Sequence, residues 1–241
     1  MASHTDNLLL AMLPNAELVG LGRHLRQAEL KEGTNLAEPG DDIRTVYFPH
    51  SGIISFMVET ADHHTVQTGM VGRDGVVGAA QALDDKLSIN KIVVQLPGLA
   101  SAIDRDALRQ AASAESVIRK LLATYEQFFV AEIQQTAACN AVHTAEARMC
   151  RWMLRMTDLI GREMPLTQEY LAAMIGVGRS LVSGIASDLQ TKGLISYNRG
   201  SLRIEDVSGL KQHACACHQA VKDNYTMLFE KGARRDRRPL S

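Results

Sequence analysis

Leu166-Thr167-Gln168-Glu169-Tyr170-Leu171-Ala172-Ala173-Met174-Ile175-Gly176-Val177-Gly178-Arg179-Ser180-Leu181-Val182-Ser183-Gly184-Ile185-Ala186-Ser187-Asp188-Leu189 is the stretch on which the reading of this chain turns. Thr167 carries a hydroxyl suited to cap a helix running through Met174. Gly176 sits where the chain must turn sharply, and a second helix runs from about Gly178 to Thr191. Leu171, Ile175, Val177, Val182, Ile185 and Leu189 supply the apolar contacts that hold two crossed helices together, and Ala172 is small enough for close approach. The pattern predicts a helix-turn-helix. The opposite face of the second helix offers Arg179, Ser180, Ser183, Gly184 and Ser187, a slim polar surface suited to a major groove.

Just downstream, the runs Leu194 to Tyr197 and Leu202 to Glu205 flank Asn198-Arg199-Gly200-Ser201, which reads as a hairpin and adds a wing. Arg199 at its tip, with Arg203 nearby, is placed to contact phosphate oxygens, which orient a protein on DNA without reading sequence. Upstream, Thr144 to Ile160 reads as a helix with Ala147, Cys150, Trp152, Met153 and Met156 on its apolar side, ended by Gly161 and Pro165. No Gly or Pro lies between Asp104 and Gly161, which marks a long helical region. Within Glu115 to Asn140, Ile118, Leu121, Leu122, Tyr125, Phe128, Phe129 and Ile133 recur at steps of three and four. That stripe is expected to form a seam between two subunits, with burial against the chain's own barrel as the alternative.

Farther towards the amino terminus the chain changes character. From about Ala28 to Ile103 it breaks into short apolar and β-branched runs, Thr45 to Phe48, Gly52 to Glu59, Thr65 to Met70, Lys91 to Leu96 and Leu99 to Ile103. Turn signals at Glu38-Pro39-Gly40-Asp41, Pro49-His50-Ser51-Gly52, Gly72-Arg73-Asp74-Gly75 and Pro97-Gly98 separate them. So many tight turns predict an antiparallel barrel or jelly roll. A short helix over Asn15 to Gln27 is expected before it.

The chain has 241 residues, 46% hydrophobic and 22% charged, the composition of a soluble globular protein of one large or two modest domains. Its formal net charge of -1 hides an asymmetry. Residues 1–142 hold 11 Lys/Arg against 17 Asp/Glu, and the rest hold 15 against 10. An acidic half joined to a basic half suits a chain in which one part senses or assembles and the other meets nucleic acid. The cysteines, Cys139, Cys150, Cys215 and Cys217, lack the framework of a secreted scaffold, and no apolar run approaches a membrane span. A cytoplasmic protein with no membrane partner is expected.

Three segments, Leu166-Thr167-Gln168-Glu169, Ile175-Gly176-Val177-Gly178-Arg179 and Gly193-Leu194-Ile195, resemble in order and spacing the Crp/Fnr family of transcription regulators. The likeness extends over the chain up to about Glu205. It implies an α+β chain with an amino-terminal double-stranded β-helix (jelly-roll barrel) sensor over 1–114 and a dimerisation helix over 115–142. A winged helix-turn-helix over 143–206 and a carboxy-terminal helix with a basic tail over 207–241 would follow. It further implies a homodimer on double-stranded DNA, RNA polymerase as a partner if the protein activates, and a small-molecule effector of unknown identity. The DNA-binding residues it implies are Thr167, Gln168, Arg179, Ser180, Ser183, Ser187 and Arg199, with Arg179 inheriting by position the role of reading a guanine. Where the family places Glu after that Arg and a second Arg farther on, this chain has Ser180 and Gly184, which should relax or redirect base preference.

The family's phosphate-binding cassette aligns with Val77-Gly78-Ala79-Ala80 and, farther on, Ser88. Ala79 replaces its ribose-binding Glu, and no Arg stands near Ser88 to Asn90, so the bidentate phosphate contact is missing. Lys86 or Lys91 offers a point charge, weakened by Asp84 and Asp85. An effector other than a standard cyclic nucleotide is therefore expected, a cyclic nucleotide on a degenerate cassette being the alternative. No cofactor is expected: an iron-sulfur sensor needs amino-terminal cysteines and none precedes Cys139, while His24, His50, His63 and His64 read as ordinary residues rather than haem ligands.

His213-Ala214-Cys215-Ala216-Cys217-His218 is dense in metal-ligating types. On a continuous helix Cys215 and Cys217 diverge by about 200°, so no metal site is expected there. His63-His64 raises a cupin-like metalloenzyme as a competing class, but neighbours on a strand face opposite ways, and no catalytic arrangement stands out. The tail Arg234-Arg235-Asp236-Arg237-Arg238-Pro239 would add nonspecific attraction to phosphate.

Overall fold

The structure, a computed structural model, describes residues 3–231 other than Asp85, Ala114, Glu115 and Arg199. The chain forms two compact units, Met1–Val58 with Gly69–Gln127, and Glu59–Thr68 with Phe128–Ser241. The basic tail after Lys231 and the wing-tip Arg199 lie outside the described residues.

The first unit opens with α1 (Leu8–Ala11) and α2 (Asn15–Gly22). The strands β1 (Arg26–Leu30), β2 (Asn35–Ala37), β3 (Thr45–Pro49), β4 (Ile53–Glu59) and β5 (Thr65–Val71) follow, with Glu59 of β4 and the first four residues of β5 assigned to the second unit. Then come α3 (Ala79–Leu83), β6 (Lys91–Leu96), β7 (Gly98–Asp104), α4 (Arg105–Ala111) and the long helix α5 (Val117–Val142), which begins in this unit and ends in the other. The strands form two sheets, β1-β7-β3 and β2-β6-β4-β5, a β-sandwich that agrees with the jelly roll rather than the closed barrel of the two expected forms. The reason is visible at one corner. The chain passes from sheet to sheet between β3 and β4 and again between β6 and β7, and the two passages touch. A Cβ on Gly52 would lie 2.6 Å from the Leu96 carbonyl oxygen, so only glycine, here at φ 76°, fits the crossing. Val46, Phe48, Ile53, Ile54, Met70 and Ile103 are buried in the apolar core of this unit. Asn7, fully buried, donates to the carbonyls of Pro49 and Gly75 at 2.9 Å and caps α1, fastening the amino-terminal segment to the sandwich.

The expected helix over Asn15 to Gln27 stops at Gly22. Arg26 onward pairs with β7, Arg26 opposite Ala102, because the edge of that sheet needs a partner for its backbone groups.

In the second unit, α5 is followed by α6 (Ala145–Ile160), β8 (Glu163–Pro165), α7 (Gln168–Ile175), α8 (Arg179–Thr191), β9 (Ile195–Asn198), β10 (Ser201–Ile204), α9 (Val207–His213) and α10 (Cys217–Tyr225). Thr226–Lys231 adds a wider, π-helical turn. Met149, Cys150, Trp152, Met153, Leu154, Met156 and Leu159 bury α6 on nearly every side, and Thr144 caps its start. Two arginines of α6 are buried as well. Arg155 meets the buried carboxylate of Glu132 with Nε at 2.9 Å and Nη2 at 3.3 Å, a bidentate pair between α6 and α5.

The stripe on α5 expected at a subunit seam lies inside the chain. Ile118, Leu122, Tyr125, Phe128 and Phe129 are buried and Leu121 is half-buried. Phe128 stacks edge-on against Tyr225 and Phe229, with centroids 5.2 and 6.1 Å apart. The chain's own apolar surface is the nearest cover for such a stripe. The face left exposed carries Ala123, Gln127, Val130, Gln134, Ala137 and Ala141, at alternating steps of four and three.

Replacing Glu132 by Ala strands the Arg155 guanidinium in the interior and should cost about 3–5 kcal/mol. Urea unfolding should show a correspondingly lower midpoint, with a smaller loss for Glu132→Gln, which keeps an acceptor.

Candidate nucleic-acid interface

Two caps and one left-handed residue set the geometry of the helix pair. The Thr167 hydroxyl accepts from the Tyr170 N–H at 3.2 Å and starts α7. Gly176, at φ 63° and ψ 46°, ends it in the left-handed conformation that glycine adopts without strain. The chain then enters α8 at Gly178, and the two helix axes bend by 105°. That lies within the range of a helix-turn-helix. Leu171, Ile175, Val182, Ile185, Ala186 and Leu189 are buried between and beneath the pair.

With α8 held by its Val182, Ile185, Ala186 and Leu189 side, the other side is open. At about 100° per residue, Ser180, Gly184 and Ser187 stand at the middle of the exposed arc. Arg179 marks one edge and Leu181, 49% exposed, the other. A Cβ on Gly184 would meet nothing within 4 Å, so the centre of the face is shallow. Ser183 is exposed and its hydroxyl lies 3.4 Å from Gln168 Nε2, which joins the start of α7 to α8. Arg179 is exposed and forms an ion pair with Glu169 on α7. Glu169 was the one partner in this group that the reading of the sequence left without a role, although it is the only carboxylate on α7.

The wing is a three-stranded antiparallel sheet, β8-β10-β9. Tyr197 anchors it. Its hydroxyl donates to the Leu166 carbonyl at 2.9 Å, its N–H donates to Gln190 Oε1 at 2.9 Å, and burial raises its phenol above the usual pKa. The wing is thereby fastened to Leu166, just before the cap of α7, and to the last turn of α8. Arg203 is flanked by Glu163 at 3.3 Å and Glu205 at 3.7 Å.

The residues aligned with a phosphate cassette sit in the first unit and are spent on the chain itself. Val77 exchanges backbone hydrogen bonds with Tyr47 at 2.8 and 3.0 Å. Gly78 takes φ 91° ahead of α3, and Ala79 is buried. The Ala80 N–H, an open donor at the start of α3, donates to the carboxylate of Glu126 on α5, whose pKa burial pushes upward. The Ser88 hydroxyl donates to the Asn90 carbonyl at 2.7 Å. Lys91 pairs with Glu38 at 3.0 Å, and Lys86 approaches Asp84 at 4.0 Å.

His63 and His64 lie in the turn between β4 and β5, exposed, beside Glu59 and Asp62 respectively. Among the described residues no single helix is long and apolar enough to cross a membrane.

This geometry defines a winged helix-turn-helix protein, and the comparisons make the class narrower. Residues 147–213 match the Crp-like helix-turn-helix domain. FixK2 from Bradyrhizobium japonicum has a similar structure, with a TM-score of 0.68 at 15% identity, covering 80% of this chain and 98% of that one. So do a CRP-family transcriptional regulator from Thermus thermophilus (0.65, 17%, 78% and 96%) and the c-di-GMP-responsive global regulator CLP of Xanthomonas campestris (0.64, 16%, 80% and 100%). No curated protein sequence matches the chain. Residues 147–213 thus form a Crp-like helix-turn-helix domain, and the chain shares the fold of these regulators, a β-sandwich unit, a long helix and a carboxy-terminal helix-turn-helix.

Proposed function

We propose that the protein works in the cytoplasm as a homodimer that reads double-stranded DNA through the exposed face of α8, with Arg179 as its principal base reader. The observation that carries this reading is the face itself, small and shallow in the middle, with Arg179 its only cation. An arginine at the start of a helix lying in a major groove matches a guanine edge with two hydrogen bonds. Ser180, Ser183 and Ser187 would follow the groove, Thr167, Gln168 and Arg199 the phosphates. The pair between Arg179 and Glu169 is exposed, so exchanging Glu169 for a base costs little. The parts divide as 1–114 for sensing, 115–142 for pairing, 143–206 for DNA and 207–241 as the carboxy-terminal extension. RNA polymerase joins as a partner where the bound protein activates.

The dimer seam in this reading is the open side of α5, Ala123, Gln127, Val130, Gln134, Ala137 and Ala141, since the aromatic stripe is already covered. Alanines at three of these heptad steps let two helices approach closely there. A two-fold dimer then sets its recognition helices about 34–36 Å apart, one turn of duplex.

The effector is a small molecule other than a standard cyclic nucleotide. The carboxylate of Glu126 already occupies the Ala80 N–H where a cyclic phosphate would need a donor, and the hydroxyl of Ser88 is spent. A phosphate brought there would face a like charge in a half-buried place.

Arg179→Ala should reduce discrimination between operator and random duplex by about 1–3 kcal/mol, roughly five- to 150-fold, in competition gel shifts. Retained discrimination would exclude Arg179 as the main reader. Val130→Glu should move the sedimentation coefficient towards that of a monomer while leaving the circular dichroism spectrum unchanged. Titration calorimetry with cyclic AMP and cyclic GMP should give no binding heat at micromolar concentrations, and clear saturation with either would overturn the effector reading.

A further inference from the structure

The cysteines left unexplained by the DNA-binding reading do not scatter. α9 ends at His213 and α10 begins at Cys217, so Cys215 lies in the connection between two helices. Ala214 there is extended (φ -79°, ψ 153°) and Ala216 helical (φ -61°, ψ -10°). The divergence expected of Cys215 and Cys217 assumed a continuous helix, and the break removes it. Both thiols come to the end of α5, where Cys139 and His143 stand one turn apart, the His143 N–H donating to the Cys139 carbonyl at 3.0 Å. The three sulfurs and one ring nitrogen all lie within 4.8 Å of one another. All four residues belong to the second unit.

We propose that Cys139, His143, Cys215 and Cys217 bind one zinc ion in a structural, tetrahedral Cys3His site. A zinc with bonds of about 2.3 Å to sulfur and 2.0–2.1 Å to nitrogen holds its ligands about 3.8 Å apart for sulfur pairs and 3.6 Å for sulfur and nitrogen. Cys139 and Cys215 are 3.4 Å apart, and Cys217 Sγ lies 3.7 Å from His143 Nδ1. Three thiolates with one imidazole are a donor set that selects zinc over hard cations. Binding releases the three thiol protons to solvent.

The surroundings fit such a charge. Gln135 Nε2 donates to Cys217 Sγ at 3.0 Å, as the neighbours of metal-bound thiolates do. Zinc with three thiolates carries a net charge of -1, and a buried cation stands beside it. Arg151 is 3% exposed and acts electrostatically on Cys139. Its Nη2 donates to Thr136 at 2.9 Å, its guanidinium lies 4.8 Å from the Trp152 ring centroid, and among the described residues its Nη1 has no hydrogen-bond partner. A guanidinium so deep in the protein without a carboxylate partner is costly unless an anion lies close by. The other two histidines of the segment are engaged elsewhere, His213 with Glu146 at 2.9 Å and His218 with Asp158 at 2.8 Å. Cys215 and His143 are half-buried, which leaves the ion a way in. The site ties the end of α5 to the α9–α10 connection and so closes the DNA-binding unit.

The test is metal content of the full chain purified under reducing conditions, loaded with Zn²⁺ and dialysed. About one zinc per chain should remain by elemental analysis, and Co²⁺ in its place should give the strong visible absorption of a tetrahedral thiolate site. His143→Ala and Cys215→Ala should each lower retained zinc at least about tenfold, while Cys150→Ala, outside the cluster, should keep it. A readout on the unaltered protein covers variants that fail to fold: alkylation mapped by mass spectrometry should reach Cys139, Cys215 and Cys217 only after a chelator is added. The proposal fails if the loaded protein holds no zinc and cobalt stays colourless, if alkylation of these thiols ignores the chelator, or if the native mass shows a disulfide between Cys139 and Cys215. None of these outcomes bears on DNA binding by Arg179, so the two readings stand or fall separately.

Discussion

A single buried ion pair, Glu132 with Arg155, holds together the helices on which the DNA-binding unit is built. α6 is nearly surrounded, and α7, α9, α10 and β8 all pack on it. The buried charge of Arg155 is compensated by a carboxylate, and that carboxylate comes from α5. The direction in which α6 leaves the long helix is therefore specified by charge as well as by shape. The aromatic cluster of Phe128, Tyr225 and Phe229 adds an apolar contact between α5 and the carboxy-terminal turn. The helix-turn-helix and its wing are carried on that frame through short links such as Tyr197 to Leu166.

Two sites in the chain share a device. At α3 the carboxylate of Glu126 takes a backbone donor suited to an anionic ligand, and at α8 the carboxylate of Glu169 takes the guanidinium suited to a base or phosphate. The two differ in burial. Glu169 is exposed and gives up its partner cheaply, whereas Glu126 is half-buried, so that displacing it from the Ala80 N–H costs more. The same pairing recurs in the wing, where Arg203 is also flanked by acids, and in the proposed DNA-binding role this would weaken nonspecific attraction to phosphate.

Much of the architecture was legible in the chain because its signals are local. A threonine cap, a left-handed glycine and apolar residues at helical steps specify α7 and α8 within a few residues of their observed ends, and the Asn-Arg-Gly turn announces the wing. The strands β3 to β7 were legible for the same reason, as short apolar runs between glycine and proline turns. β1 was hidden, because its alternation is masked by charged residues at a sheet edge and only pairing with β7 makes it a strand. The choice between a barrel and a two-sheet jelly roll was hidden too, since it depends on the close crossing of Gly52 over Leu96 and Pro97.

By itself the sequence determined the winged helix-turn-helix, the long helix, the β-rich amino-terminal unit and the position of Arg179, all of which rest on residues near one another in the chain. Only the tertiary structure decided which face of α5 is covered. The spacing of Ile118, Leu122, Tyr125, Phe128 and Phe129 is identical for a subunit seam and for an internal contact, and burial alone separates the two. Only the tertiary structure placed Glu126 on Ala80, and brought Cys139 and His143 to Cys215 and Cys217 across more than seventy residues. Such meetings depend on how helices pack and where they break, and no local pattern records them.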